Sequence, residues 1–232
     1  EDQRVLNNGT WHQGRYQRIL VVRTLFIMSD VFRLQRTDKV HFKDVANLHC
    51  SEITGGVLTI LGEEFLAVLY RYISEAPQCG VWISHDRGNL KGFISGCAND
   101  KKMFCWVLLH GLFPLVVEGL KSITRPGVVK GAMSVVKVLL NSNQNEPTPR
   151  SQLLSLAVNS DSRNKGIGGS LVRALETELG VWDINECLVW TTQSNLRAIA
   201  FYESNGFRKS HVVQHSTENM VGLIKVQDTS RT

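Results

Sequence analysis

The stretch Leu156-Ala157-Val158-Asn159-Ser160-Asp161-Ser162-Arg163-Asn164-Lys165-Gly166-Ile167-Gly168-Gly169 decides the reading of the whole chain. An apolar run over 151–158, read as a strand, gives way to a short polar loop. Glycines then open a helix over 166–179, in which Ile167, Leu171, Leu175 and Leu179 fall on one stripe. The first N–H groups of a helix have no partner within it, and they sit at the positive end of its dipole. Where those residues are glycines, an anion can approach without meeting a Cβ, so the loop reads as an anion cradle. Arg163 and Lys165 add positive charge beside it. Close packing of the helix start is the other use such glycines have.

The spacing excludes two familiar phosphate sites. A dinucleotide fingerprint needs glycine three residues after Gly168, where this chain has Leu171, and the Gly-Lys-Ser/Thr of a P-loop is absent. Downstream, residues 186–192 read as a strand and Asn195 to Asn205 as a helix. Ser194 or Asn195 is its cap, and Gly206 is placed to end it in the left-handed conformation. Residues 207–215 and 220–226 make a closing β-pair.

Upstream the chain alternates in the same way. Residues 31–35 read as a strand and 43–49 as a helix. A further helix over 62–73 has Phe65, Val68, Leu69, Tyr72 and Ile73 on one stripe. Two β-rich runs, 81–85 and 90–97, flank the turn-forming Asp86-Arg87-Gly88-Asn89 and predict a hairpin. Residues 98–150 stand apart as an insert, with helical patterns over 104–121 and 128–140 and a polar loop over 141–150. His110, Pro114 and Glu118 interrupt the apolar stretch 103–120 and argue against a transmembrane segment. Residues 1–27 lack periodicity and are expected to lie outside the fold, with Met28 as the start. Hairpin strands followed by β-α-β-α-β give a mixed α/β sheet with helices on its faces.

Composition narrows the chemistry. The chain has 232 residues, 43% hydrophobic and 20% charged, enough for a sizeable core and too apolar for general disorder. Lys and Arg outnumber Asp and Glu by 26 to 21. That mild excess favours anionic ligands but lacks the dense basic stripe of a nucleic-acid binder, so no nucleic acid is expected. The five cysteines form no Cys-x-x-Cys pair and the seven histidines no ligand spacing. Neither a disulfide framework nor a metal is expected, and reduced thiols point to a cytoplasmic protein.

Arg163, Gly166 and Gly168, directly after a strand, resemble the Arg/Gln-x-x-Gly-x-Gly/Ala signature of the GNAT family of acyl-CoA-dependent N-acyltransferases. The segment from Asn195 to Phe207 is similar to the family's later motif, Asn-x-x-Ala-x-x-Phe-Tyr-x-x-x-Gly-Phe. The resemblance covers roughly residues 31–226 without the insert, and it implies one GNAT domain over 28–232. What it implies of the fold is a splayed, mostly antiparallel sheet flanked by helices. What it implies of the chemistry is acetyl-CoA (acyl-CoA) as co-substrate and direct attack by the primary amine of a small molecule. Backbone groups of Leu156, Ala157 and Val158 would bind the pantetheine arm. The N–H groups of Arg163, Asn164, Lys165, Gly166, Ile167, Gly168 and Gly169 would hold the pyrophosphate. Asn195 would lie near the pantetheine or thiol, and Tyr202 would protonate the departing thiolate. An amphipathic core tyrosine is the other reading of Tyr202.

The chain departs from the family in two places. Many relatives carry Glu on the strand before the glycine loop, where this chain has Gln152, which cannot act as a base. Glu186, His49, His85, His110 and a water chain are the substitutes open to it. The insert is the second departure: it walls the acceptor site, takes a long acyl group, packs in a homodimer or covers the sheet. A CoA-binding regulatory domain without turnover, and an acyltransferase with an acyl-carrier-protein donor, are the competing functions.

Overall fold

The computed structural model describes residues 31–53, 57–86, 88–121, 149–214 and 219–227. The chain enters through β1 (Val31–Arg33), then α1 (Lys39–Glu52), α2 (Val57–Leu61) and α3 (Glu63–Glu75). The hairpin follows as β2 (Cys79–Asp86) and β3 (Asn89–Cys97), with Asp86 opposite Asn89 at the expected turn. α4 (Asp100–Lys121) leads toward β4 (Gln152–Val158). The glycine loop opens α5 (Ile167–Val181), and β5 (Glu186–Thr192), α6 (Leu196–Ser204), β6 (Arg208–Gln214) and β7 (Asn219–Val226) complete the fold. The strands form one seven-stranded sheet in the order β1-β2-β3-β4-β5-β7-β6. Every neighbouring pair is antiparallel except β4 with β5, which is the mixed, mostly antiparallel sheet expected.

Strand alternation sends side chains to two cores. Val81, Ile83 and Phe93 face α1, α3 and α4, where they meet Phe42, Val45, Leu66, Tyr70 and Met103. Trp82 and Ile94 face the other way, against Leu171, Leu175 and Leu179 of α5, with Val189, Tyr202 and Phe207.

Two features of β4 part the sheet. Its pairing with β5 consists of Gln152 with Leu188 and Leu153 with Val189, after which the strands separate. On the β3 side the register slips, with Leu153 opposite Gly96 but Ser155 opposite Ser95, so Leu154 is an extra, bulged residue. A bulge bends its strand and raises the local twist, which is how one strand leaves its neighbour. The sheet therefore opens into a wedge whose apex lies at Leu153 and Val189.

The sequence reading needs three corrections. α1 begins at Lys39, not Lys43. α3 buries Leu66, Ala67, Tyr70 and Ile73, while Phe65, Val68, Leu69 and Tyr72 of the expected stripe are half-buried. α4 runs unbroken for 22 residues through Pro114 and is, by length and composition, long and apolar enough to cross a membrane. Met103, Val107 and Leu115 of α4 are buried, whereas Leu109 and Phe113 are each 81% exposed. The expected helix over 128–140, residues 1–27 with Met28, and most of the 141–150 loop lie outside the described residues.

Candidate functional site

The loop between β4 and α5 is built from local hydrogen bonds. Asn159 folds over a 3-10 turn at Ser160–Ser162, its Oδ1 accepting from the Asp161 N–H at 3.0 Å. Asn164 and Gly166 then take left-handed conformations (φ 60° and 79°), and Gly166 is the N-cap of α5. The first helical bond runs from Ser170 N–H to the Gly166 carbonyl at 3.0 Å, and no side chain caps the helix. The N–H groups from Asn164 to Gly169 thus have no hydrogen-bond partner among the described residues.

The glycines divide the work. A Cβ on Gly166 would meet nothing within 4 Å, so this glycine serves its positive φ and leaves the cradle open. A Cβ on Gly168 would lie 2.9 Å from the Phe201 ring, so this glycine lets α6 pack against the start of α5. Both readings of the glycines, cradle and packing, are realised at different positions. Gly169 lies beside Asn205 and Arg173, and Ile167 is half-buried on the α5 core.

The loop's charges are spent locally. Arg163 donates through Nε to the Val158 carbonyl at 3.2 Å and through Nη2 to Glu52 at the end of α1. The other Glu52 oxygen accepts from the Ser160 N–H at 2.9 Å. Glu52 was not foreseen: it lies 111 residues from Arg163, and no local pattern announces the contact. Lys165 is exposed and reaches the Asp161 carbonyl at 2.9 Å.

The wedge begins directly below this loop. The Asn159 N–H donates to the Lys91 carbonyl on β3 at 2.9 Å. Alternation then turns the N–H and C=O groups of Leu156 and Val158 away from β3, toward the gap. Leu156 and Val158 pack with the α5 core, and Ala157 packs with the α1 and α3 core. Across the gap stands α6, whose cap is Asn195: its Oδ1 accepts from the Ala198 N–H at 3.0 Å. Gly206 follows α6 with φ 88°, as its sequence position requires. Tyr202 is 7% exposed, edge-on to Phe201 and Phe207, and its hydroxyl has no hydrogen bond among the described residues. Burial raises its pKa further above the ordinary tyrosine value.

The candidate bases are dispersed. Glu186 is exposed at the start of β5. His110 is exposed on α4 and stacks on Trp106. His85 lies at the end of β2 beside His41, and burial with that neighbour lowers its pKa. His49 is buried behind the sheet, 2.6 Å from the Tyr70 hydroxyl through Nδ1, and burial takes its pKa down to about 4. Gln152 makes a contact that sequence reasoning missed: its Nε2 donates to Asp100 Oδ2 at 3.0 Å. Among the described residues no three His, Cys, Asp or Glu side chains group as a metal site.

The comparisons with known proteins agree with this geometry. No curated protein matches the chain. Among solved structures, aminoglycoside 6'-acetyltransferase type Ii is similar with TM-score 0.54 and 15% identity, over 84% of this chain and 96% of that one. The ribosomal-protein-S18-alanine N-acetyltransferase from Escherichia coli is similar with TM-score 0.52 and 14% identity, over 87% and 96%. An aminoglycoside 6'-N-acetyltransferase complexed with coenzyme A gives TM-score 0.54 and 14% identity, over 84% and 96%. At these identities the likeness is one of fold. The sequence itself matches the Acetyltransferase (GNAT) family over residues 44–207. Splayed sheet, uncapped glycine loop and sequence match converge, and the chain belongs to the acetyltransferase (GNAT) family.

Proposed function

We propose that the protein transfers an acetyl group from acetyl-CoA to the primary amine of a small molecule. The observation that carries this reading is the row of unpaired N–H groups from Asn164 to Gly169, set at the mouth of the β4–β5 wedge. An array of free donors at a helix N-terminus suits a pyrophosphate. The wedge below it offers the backbone of Leu156 and the N–H of Val158 to an amide-bearing arm, the Val158 carbonyl being held by Arg163. Such an arm entering at the loop would bring its thioester toward the apex at Leu153.

The amine attacks the thioester carbonyl there, and a β4 N–H turned into the gap stabilises the developing oxyanion. Tyr202, kept protonated by burial, donates to the leaving sulfur. None of the five cysteines is in a disulfide, which supports a reducing, cytoplasmic setting. The test is direct. Acetyl-CoA should raise the melting temperature, and free thiol should accumulate only when an amine is added from a panel of kanamycin, spermidine and an alanyl peptide. Absence of any thermal shift with acetyl-CoA would remove the reading; a shift without turnover would favour a regulatory CoA-binding domain.

A further inference from the structure

Amine acetylation releases a proton that needs an acceptor. An ammonium must lose one proton before it attacks and a second as the amide forms. If Tyr202 supplies the proton on sulfur, it recovers one of these; the other must leave through a base. Gln152 cannot take it, the Glu186 and His110 side chains are exposed, and His85 stands at the end of β2 beside His41. His49 is sealed behind Tyr70 at 2% exposure.

One carboxylate does reach β4 next to the apex, at the side chain of Gln152. Asp100 is the first residue of α4, and its Oδ2 accepts from Gln152 Nε2 at 3.0 Å. Its Oδ1 accepts from the Lys101 N–H at 2.7 Å, and Arg150 Nη1 stands 4.0 Å from the same oxygen. Gln152 is in turn paired with Leu188 on β5 and Cys97 on β3, one residue below the last β4–β5 pair. Leu154, where the gap begins, is two residues along, roughly 7 Å by strand rise. The carboxylate is 18% exposed, shielded but within reach of solvent.

We propose that Asp100, delivered by the start of the inserted helix and held by Gln152, is the general base that takes the proton from the incoming amine. The proposal rests on the acetyltransferase reading above. The ammonium gives one proton to the Asp100 carboxylate, which passes it to solvent. The nitrogen lone pair forms the C–N bond, the C–S bond breaks with its electron pair on sulfur, and the second nitrogen proton balances the one Tyr202 gives to sulfur. The glutamine amide can offer Asp100 only a donor through Nε2, so it orients the carboxylate without competing for the proton. The groups facing Asp100 fit this use. Arg150 lies at the limit of ion pairing and is 40% exposed. The Cys97 thiol, hydrogen-bonded with Cys79 and buried, is held protonated, and the charge on Asp100 adds to that effect.

The rival account is purely structural. Asp100 N–H donates to the Arg150 carbonyl at 3.0 Å, so the same residues clasp the two ends of the insert. The two accounts separate when the carboxylate is moved. Asp100→Asn should keep acetyl-CoA-induced thermal stabilisation and lose roughly 10²-fold or more in kcat/KM for the amine. Its residual rate should climb about tenfold per pH unit, because only amine already neutral in solution can react. Asp100→Asn with Gln152→Glu returns a carboxylate to the same spot and should recover most of the rate and flatten that climb. Gln152→Ala should lower kcat about tenfold with acetyl-CoA affinity unchanged, and it reads the proposal even if Asp100→Asn fails to fold. Wild-type rates and pH dependence in Asp100→Asn, no recovery in a folded double variant, or full kcat in Gln152→Ala would each overturn the assignment. A wild-type chain that acetylates no amine in the panel would overturn the acetyltransferase reading and this one with it.

Discussion

The junctions β4–α5 and β5–α6 follow one plan, strand to loop to helix, and finish it in opposite ways. At α6 the Asn195 side chain closes over the helix start and satisfies the Ala198 N–H. At α5 the capping position is Gly166, which has no side chain to offer, and the donors from Asn164 to Gly169 stay open. A glycine at the cap forgoes a few tenths of a kcal/mol that Asn or Asp would contribute. Where two neighbouring helices differ only in this respect, the uncapped one marks where a ligand is expected to supply the missing acceptor. In the proposed reaction the sealed helix contributes a side chain instead, Tyr202, two turns in from its cap.

This contrast can be broken at either helix. The largest effect should come from Gly166→Asp. A carboxylate about 4 Å from the pyrophosphate costs about 4 kcal/mol at an effective dielectric of 20, less when screened by salt. Acetyl-CoA affinity, measured by calorimetry, should fall roughly 10²–10³-fold; an unchanged affinity would mean that the open donors are not the phosphate site. The next effect belongs to α6. Tyr202→Phe keeps the ring and its packing on Phe201 and Phe207, so acetyl-CoA affinity should hold within a few-fold. Its kcat should drop by roughly 10², the lower end for one positioned acid. Because burial raises the Tyr202 pKa, the wild-type kcat should show no alkaline fall attributable to this group up to about pH 10.

Asn195→Ala should act on stability instead, by about 1 kcal/mol or a fall of roughly 2–4 °C in Tm. If it abolished acetyl-CoA binding with Tm intact, Asn195 would be a ligand contact and the two junctions would be alike after all. The smallest effects concern Arg163. Its guanidinium is engaged by Glu52 and the Val158 carbonyl, so Arg163→Ala should weaken acetyl-CoA only a few-fold. Glu52→Gln should tighten it by a similar factor, since a free guanidinium then faces the loop. Tighter binding in Arg163→Ala would contradict the sign of that argument.

The local parts of this comparison were legible in the sequence. Asn195 as a cap, Gly206 in the left-handed conformation and glycines opening α5 are matters of residues a few positions apart. What escaped were contacts made by the fold. Glu52 with Arg163 and Asp100 with Gln152 join residues that no periodicity relates. On α3 the expected stripe was rotated because the helix packs against α1, α4 and β2 together, and apolar residues surround it. A helix apolar on several sides has no unique period to read. The bulge at Leu154 left no mark either, since an extra residue in an apolar strand looks like any other.

The two-pair joint between β4 and β5 also bears on how the molecule holds together. β1 to β4 form one half-sheet and β5 to β7 another, and among the described residues the strand pairing between them consists of Gln152–Leu188 and Leu153–Val189, with the Leu188 N–H on the Ser151 carbonyl. Such a seam is where cooperative unfolding divides a molecule, with amides on either side exchanging as separate units. A ligand lying in the gap would act as mortar. At a hundredfold excess over its dissociation constant it adds about 2.7 kcal/mol to the folded state. Amide exchange along Cys187–Thr192 should then slow together with that of Leu154–Val158, turning two unfolding units into one.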